Sequence, residues 1–232
     1  MNFLRGIVEM NSKQIAGEKA CEFIQDGMVV GLGTGSTAYY MIQKLGDRVA
    51  DGLNVTGVVT SKATEELAKE RNIPLMDLNE VGEIDLTIDG TDEVDGLFRG
   101  IKGGGGALLF EKLVAQASKR SIWVIGEDKV VETLGAFPLP VEVVPFGYKQ
   151  VERQLEMNGY KPVLRHHEDG SVYLTDSENY ILDLHMGAVT NPEELNTWLN
   201  NLPGVVENGL FLNYATSIVI GYSNGNVEVR DK

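Results

Sequence analysis

Short apolar runs alternate with longer amphipathic stretches along the first half of the chain. The apolar runs predict buried strands at 28–33, 53–60, 85–90 and 121–126. The amphipathic stretches predict helices at 12–26, 35–49, 61–72 and 105–119. Strands and helices that alternate in this way are typical of an α/β fold, with a Rossmann-like, mostly parallel sheet and helices on both faces.

The pattern changes near residue 135, where prolines become frequent. A helix is predicted at 148–159 and a β-hairpin from the strand-like runs 171–175 and 179–186. A further helix begins at Asn191-Pro192, and the strand-rich C-terminal residues could rejoin the first sheet. We therefore expect a small α+β lobe of split βαβ type at 136–205, and an α/β catalytic domain formed by 1–135 and 206–232.

Charge and cysteine content limit the possible partners and environment. The net charge of −14 argues against nucleic acid or an anionic membrane as a partner, because both favour clustered Lys and Arg. No apolar run approaches the roughly 20 residues that a membrane helix needs, and residues 1–17 lack a secretory signal pattern. Cys21 is the sole cysteine and falls in a helical pattern, so we expect it in the core of a cytoplasmic protein.

A glycine-rich loop, GLGTGST at 31–37, joins the first predicted strand to the second predicted helix. Loops at this position bind ligands in open α/β sheets, and a helix N-terminus offers free N–H groups to an anion. Thr34, Ser36 and Thr37 add hydroxyl groups suited to phosphate. The loop fits neither a dinucleotide fingerprint, which needs glycine where Ser36 stands, nor a Walker loop, which needs a lysine there.

Acidic residues follow the strand at 85–90, and a lysine with four glycines follows them. The spacing of the acids does not fit a calcium loop. We expect Asp89 and Asp92 to be functional because of the neighbouring Lys102, and Glu93 and Asp95 to lie in a solvated turn. Successive glycine amides at 103–106 could hold a developing oxyanion, with Lys102 at the mouth of the loop.

The helix after the glycines carries a glutamate on an unexpected face. At about 100° per residue, Lys112, Gln116 and Lys119 share one side and indicate solvent. Glu111 projects instead among small residues that should pack or line a cleft. Burial would raise its pKa and Lys102 would lower it, which suits a general base, although a flexible glutamate could also reach solvent.

Together these motifs resemble the ribose-5-phosphate isomerase family of type A. The resemblance rests on GLGTGST at 31–37, DGTDE at 89–93, KGGGGALLFEK at 102–112 and FPLPVEVVPF at 137–146, and it covers essentially the whole chain. It implies a cofactor-free enzyme that interconverts D-ribose 5-phosphate and D-ribulose 5-phosphate. It also implies a ferredoxin-like small lobe and assembly as a homodimer or homotetramer.

The resemblance assigns roles to individual residues. Glu111 would be the catalytic base that forms an enediolate, assisted by Asp89, Asp92 and Lys102. The substrate-binding residues that it implies are Lys13, Thr34, Gly35, Ser36, Thr37, Asp89, Gly90, Thr91, Asp92, Lys102, Gly103, Gly104, Gly105 and Lys129. No metal site is expected, since His166 and His167 would face opposite ways on a strand and His185 stands apart.

Two alternatives stay open on the sequence alone. A related phosphosugar enzyme or a coenzyme A transferase could carry a similar glycine-threonine-serine loop, and dependence of activity on coenzyme A would identify the transferase. A sugar-phosphate-sensing domain of a transcription regulator would need an attached DNA-binding helix-turn-helix, and would have no use for Glu111.

Overall fold

The computed structural model describes residues 11–232 and contains six helices and thirteen strands within that range. The helices are α1 (Ser12–Cys21), α2 (Ser36–Ala50), α3 (Lys62–Glu70), α4 (Leu108–Gln116), α5 (Tyr148–Met157) and α6 (Pro192–Asn200). The strands are β1 (Val29–Leu32), β2 (Thr56–Val59), β3 (Leu86–Gly90), β4 (Glu93–Val94), β5 (Gly100–Ile101), β6 (Ser121–Gly126), β7 (Leu139–Val143), β8 (Pro162–Leu164), β9 (Tyr180–Leu184), β10 (Val205–Asn208), β11 (Leu210–Phe211), β12 (Ser217–Gly221) and β13 (Val227–Asp231).

The largest sheet has six strands in the order β13-β12-β6-β3-β1-β2. All neighbouring pairs are parallel except β12–β13, an antiparallel hairpin formed by the strand-rich C-terminal residues that rejoin this sheet. The predicted Rossmann-like α/β fold is therefore confirmed. From β1 the chain moves outward to β2 and then returns to the other side of β1 with β3. Ligands bind at such a change of direction, beyond the carboxyl ends of the strands.

Helices α1 and α2 pack closely on one face of this sheet. Their core includes Ala16, Ala20 and Cys21, and Cys21 is 1% exposed, as the helical pattern predicts. A Cβ placed on Gly17 would lie only 2.8 Å from the carbonyl oxygen of Thr37. This close approach brings the N-terminal turn of α1 to the glycine loop. Helix α1 ends at Cys21, before the predicted residue 26. After Cys21 the backbone hydrogen bonds join residues three apart instead of four apart, so the α-helix does not continue.

The small lobe contains an antiparallel sheet in the order β10-β7-β9-β8, with α5 and α6 as its helices. Counted within the lobe, this order is 4-1-3-2 in a βαββαβ unit, which is the ferredoxin-like arrangement that the resemblance implies. The lobe has its own apolar core, which includes Val141, Leu182 and Leu199. Its sheet continues through Asn208, three residues beyond the boundary proposed from sequence, and the division into two domains stays a prediction.

The predicted hairpin of 171–175 with 179–186 is wrong in its first strand. Strand β9 pairs instead with β8, at Pro162–Leu164. Residues 165–173 fold back on themselves, since the N–H of Tyr173 donates to the carbonyl of Arg165 and the N–H of His167 donates to the carbonyl of Ser171. Gly170, at φ 84°, lies within the turn. This arm of residues 165–173, called the return arm below, leaves the small sheet.

A third sheet has three short strands in the order β11-β5-β4. Strands β4 and β5 form a hairpin directly after β3, and β11 follows β10. Because the N–H of Lys102 donates to the carbonyl of Gly209, this small sheet ties the start of the glycine run to the chain leaving the small lobe. No helix in residues 11–232 is long and apolar enough to cross a membrane.

Candidate active site

The glycine loop between β1 and α2 is held against the end of β3. The N–H of Gly33 donates to the carbonyl of Ile88, and the N–H of Thr34 donates to Asp89 Oδ1 at 3.0 Å. A Cβ on Gly33 would lie 2.2 Å from Asp89 Oδ1, so only glycine permits this approach. Gly35 is the residue immediately before α2, at φ 101°, and there is open space where its Cβ would be. The loop therefore faces an open pocket on one side and Asp89 on the other.

The Thr34 hydroxyl is bonded within the protein. Its Oγ1 lies 2.7 Å from Thr60 Oγ1, 2.8 Å from Ser61 Oγ and 3.2 Å from Thr64 Oγ1. Thr64 in turn donates to the carbonyl of Gly33. Ser36 and Thr37 line the cavity, and phosphate binding by their hydroxyls stays a prediction, whereas the Thr34 hydroxyl bonds the loop to Thr60, Ser61 and Thr64.

Two lysines stand beside the start of α2. Lys13 Nζ donates to Ser36 Oγ at 2.9 Å, and Lys129 lies just after β6 with its nearest carboxylate, Asp128, at 3.5 Å. Both lysines line the same pocket as Ser36 and Thr37. The ammonium groups of Lys13 and Lys129, together with the free N–H groups at the N-terminus of α2, form an environment suited to a phosphate group.

Three charged side chains meet at the other end of the pocket, all nearly inaccessible to solvent. Lys102 Nζ lies 3.0 Å from Asp89 Oδ2 and 3.2 Å from Glu111 Oε2. The same ammonium donates to the carbonyl of Gly90 at 2.6 Å. Asp89 accepts two further N–H groups, from Thr34 and Gly90. Glu111 Oε2 has no hydrogen-bond partner in the described part of the chain. Glu111 is thus the less satisfied of the two acids.

Burial and mutual repulsion shift the pKa values of these groups. Desolvation, reinforced by the charge of Asp89 and opposed by Lys102, raises the pKa of Glu111 to about 8. Desolvation also raises the pKa of Asp89, against the attraction of Lys102 and two backbone N–H groups. Burial alone would lower the pKa of Lys102, but Asp89 and Glu111 outweigh it and raise that pKa. Burial therefore favours the protonated form of both acids, and Glu111 is the one of the two that lines the cavity.

The glycine run after Lys102 forms the wall opposite the loop of residues 31–37. The N–H of Gly104 donates to Asp92 Oδ2 at 2.8 Å. Arg165 and Tyr173, on the return arm of the small lobe, hydrogen-bond to carbonyl groups of this run. Neither residue was expected at the site from sequence, because no motif surrounds them and a wrong strand was predicted over Tyr173.

A cavity of about 180 Å³ lies between these groups. The structure brings together every predicted site residue at its surface except Asp89, which is buried and contacts the site through Lys102. Gly126, at the end of β6, also borders the cavity and was missed; its position at a strand end was the available signal. The residues that line the cavity are Lys13, Thr34, Gly35, Ser36, Thr37, Gly90, Thr91, Asp92, Lys102, Gly103, Gly104, Gly105, Glu111, Gly126 and Lys129.

Three predicted surface residues are buried. Lys112 is 7% exposed rather than solvated, because its ammonium donates to Glu207 Oε1 and to the carbonyl of Asn208, both at 2.7 Å. Glu93 accepts the N–H groups of Gly135 and Phe137, and Asp95 pairs with Arg99. The small lobe and the β4–β5 hairpin cover these positions, so the expected solvated turn at Glu93 and Asp95 is wrong.

Comparisons with known proteins identify relatives along the chain. Residues 56–225 match the family model of ribose 5-phosphate isomerase A, also described as phosphoriboisomerase A. The chain is 56% identical over 223 residues to ribose-5-phosphate isomerase A of Listeria innocua, a match that covers 96% of this chain and all of that protein.

Solved structures agree with this assignment. A D-ribose-5-phosphate isomerase in complex with phospho-erythronic acid superposes with a TM-score of 0.92 at 36% identity, covering 96% of this chain and 100% of that one. Ribose 5-phosphate isomerase A of Methanocaldococcus jannaschii superposes with a TM-score of 0.90 at 38% identity, covering 95% and 98%. The chain therefore belongs to the ribose 5-phosphate isomerase A family of enzymes.

Proposed function

We propose that this enzyme interconverts D-ribose 5-phosphate and D-ribulose 5-phosphate through an enediolate, with Glu111 as the general base. The proposal rests above all on one observation, the burial of Glu111 beside Lys102 and the glycine run. Moving a proton between neighbouring carbons needs a base whose pKa lies near the working pH, and burial supplies that condition here.

The open-chain substrate would lie between the two glycine loops. Glu111 removes the proton from C2, and the resulting charge develops on the oxygen of C1. Lys102 and N–H groups of the glycine run face that oxygen, and each oriented donor of this kind contributes about 3 kcal/mol. Glu111 then returns the proton to C1, and the proton of the C2 hydroxyl passes to the oxygen of C1, so that C1 carries the new hydroxyl and C2 becomes the ketone.

The two aspartates would have different tasks. Asp92 lines the cavity, and we propose that its carboxylate assists ring opening and transfers hydroxyl protons. Asp89 is 2% exposed and bonded to Thr34, Gly90 and Lys102. Its placement favours a role in orienting Lys102 and raising the pKa of Glu111.

The phosphate would bind at the start of α2. Lys13 and Lys129 supply positive charge, Ser36 and Thr37 supply hydroxyl groups, and Gly35 leaves space for the anion. These local charges offset the repulsion that a net charge of −14 exerts on an anionic substrate. Binding the phosphate at this distance from the carboxylate helps to position the reacting carbons.

The central test is the Glu111→Gln enzyme. We expect kcat to fall by a factor of about 10³–10⁴, at the upper end for loss of a general base, with little change in KM. The matched control is Glu142→Gln, another buried carboxylate, which bonds Thr175 and Asn179 in the small lobe and does not line the cavity. Near-wild-type turnover of a folded Glu111→Gln enzyme would exclude Glu111 as the base.

The proposed chemistry needs no cofactor or metal ion. A coupled assay with ribose 5-phosphate in the presence of a chelator tests this directly, and we expect conversion to continue at an undiminished rate. A strict requirement for a divalent ion would instead make Asp89 and Asp92 candidate metal ligands and would contradict the mechanism proposed here.

A further inference from the structure

The return arm of the small lobe holds the glycine run from outside the cavity. Arg165 Nη1 donates to the carbonyl of Gly103 at 2.9 Å and to that of Gly104 at 3.1 Å. The rest of its guanidinium pairs with Asp183 on β9, with Nε 2.8 Å from Oδ2. The Arg165 side chain is 14% exposed, so these bonds are largely shielded from water.

Tyr173 extends the same set of contacts by one residue. Its hydroxyl donates to the carbonyl of Gly105 at 3.1 Å, and its ring lies 5.7 Å from the Arg165 guanidinium. The ring also fills the space beside Gly106, where a Cβ would lie 2.2 Å from the Tyr173 hydroxyl. Three consecutive glycine carbonyls therefore accept hydrogen bonds from the return arm.

These contacts determine the direction of the amide groups. A trans peptide is planar, so the carbonyl of one residue and the N–H of the next point to opposite sides. With the Gly103 carbonyl on Arg165, the N–H of Gly104 points to Asp92 and donates to it. With the Gly104 carbonyl on Arg165, the N–H of Gly105 also points away from the return arm.

The Gly105 N–H is the donor left free by this arrangement. Residues 11–232 offer it no hydrogen-bond acceptor, and Gly105 borders the cavity. The Gly106 N–H, in contrast, is used by the carbonyl of Gly103. The Gly103 N–H is unpartnered in the same part of the chain, but Arg165 does not touch its peptide group. Of these two free donors, Gly105 is thus the one whose peptide group is held by Arg165.

We propose that Arg165, supported by Tyr173 and Asp183, is a positioning residue that aims the Gly105 N–H at the oxygen that becomes negative during the reaction. The inference rests on the proposed isomerase function and adds a residue of the small lobe to its machinery. The guanidinium suits this task because its planar fork bonds two carbonyls and a carboxylate at once, whereas an ammonium group cannot reproduce that geometry.

The test is Arg165→Lys, with Arg99→Lys as the matched control. Arg99 also joins the two lobes, through Asp95 and Glu193, but does not touch the glycine run. For Arg165→Lys we expect kcat to fall about 10- to 100-fold with KM changed less than about threefold, because the oxyanion exists only in the transition state. For Arg99→Lys we expect no change in kcat beyond about twofold.

Two ligands separate positioning from general loosening of the pocket. A phosphorylated aldonic acid, the class bound in the solved relative, carries an anionic group near the reacting carbons, and its affinity should fall in parallel with kcat. Inorganic phosphate probes only the Lys13–Ser36 end, and its inhibition constant should stay the same. Tyr173→Phe, which keeps the ring, should lower kcat only about two- to fivefold, because Arg165 still holds two carbonyls.

The inference is overturned if folded Arg165→Lys keeps the wild-type kcat, if phosphate inhibition weakens as much as kcat, or if Arg99→Lys loses as much turnover. If Arg165→Lys does not fold, a Tyr173→Phe enzyme with unchanged kcat and aldonate affinity overturns it. Failure of the proposed function would look different, since the wild-type enzyme would then not convert ribose 5-phosphate at all.

Discussion

At the residue scale, one lysine forms ion pairs with two buried carboxylates. Lys102 contacts Asp89 and Glu111, but only Asp89 also accepts backbone N–H groups. The charged form of Asp89 therefore receives more hydrogen bonds than that of Glu111, while burial raises the pKa of both acids. In the mechanism proposed above, the two acids have different tasks, Asp89 as an orienting group and Glu111 as the proton acceptor.

The pH dependence of the reaction follows from this pair. Since the pKa of Glu111 is raised to about 8, the free enzyme gains its active, ionised base as the pH rises through that value. We expect kcat/KM to increase with pH and to level off above about 8. The ionisation of the substrate phosphate, near pH 6, should appear as a separate step.

Rate measurements from pH 5 to 9.5 with the wild-type enzyme would show the profile. A plateau already reached at pH 5.5 would mean that Glu111 ionises near its ordinary pKa and would contradict the role of burial. The Glu111→Gln enzyme is the control, because its residual rate should lack the step near pH 8.

The sequence predicted the inward direction of Glu111 but not that of its neighbour. Helical periodicity separates the faces of α4 correctly, so Glu111 is buried as expected. Lys112 follows about 100° further round α4, on a side that would face water in an isolated α/β domain. The small lobe covers that side and supplies Glu207, and a pattern within one helix carries no information about such a distant partner.

At the scale of elements, the two loops at the strand ends depend on close contact between β1 and β3. Thr34 and Asp89 come together because Gly33 has no side chain to separate them. Both motifs could be recognised from sequence, because the glycine loop follows β1 and Asp89 ends β3. Parallel pairing of β1 with β3 then places the two motifs side by side. The return arm was not visible, because the strand-like run 171–175 predicted a hairpin with 179–186, whereas the N–H of Tyr173 donates to Arg165 and that of Arg165 to Ile181.

Gly33→Ala tests this contact. The added Cβ would lie 2.5 Å from Asp89 Cα, so the loop must move, and we expect a loss of about 1–3 kcal/mol in the free energy of unfolding together with a fall in kcat. Gly82→Ala is the control, because within residues 11–232 an added Cβ there would meet no atom within 4 Å beyond its own chain neighbours. Urea denaturation and steady-state kinetics of both variants would decide; equal stability of the two would contradict the packing argument.

At the scale of the whole molecule, the site is closed by contacts between the α/β sheet and the small lobe. Helix α4 carries Glu111 towards the cavity and Lys112 towards β10, so one helix joins both units. The sequence indicated two units, and the boundaries between them stay a prediction. It could not indicate how they meet, because the joining groups lie far apart along the chain. The expected homodimer or homotetramer stays a prediction.

Lys112→Met tests the contribution of this junction to stability. Lys112 pairs with Glu207 in a mostly buried setting. Removing the ammonium group leaves the Glu207 carboxylate without its counter-ion and the Asn208 carbonyl without this donor. We expect the free energy of unfolding to fall by about 2–4 kcal/mol. Lys119→Met, three residues beyond the end of α4, breaks exposed pairs with Glu83 and Asp85, and should cost less than about 1 kcal/mol. If both variants lost a similar amount of unfolding free energy, the contact between Lys112 and Glu207 would add little to stability.

The enclosure of Glu111 has a consequence for the fate of the transferred hydrogen. A carboxyl group that is 5% exposed exchanges slowly with bulk water compared with one at the surface, so a deuteron taken from one carbon can reach the next before it is lost. With substrate deuterated at C2 in ordinary water, mass spectrometry of the ketose should find part of the label on C1. Complete washout at the earliest times would mean that the solvent reaches this carboxyl group freely during turnover.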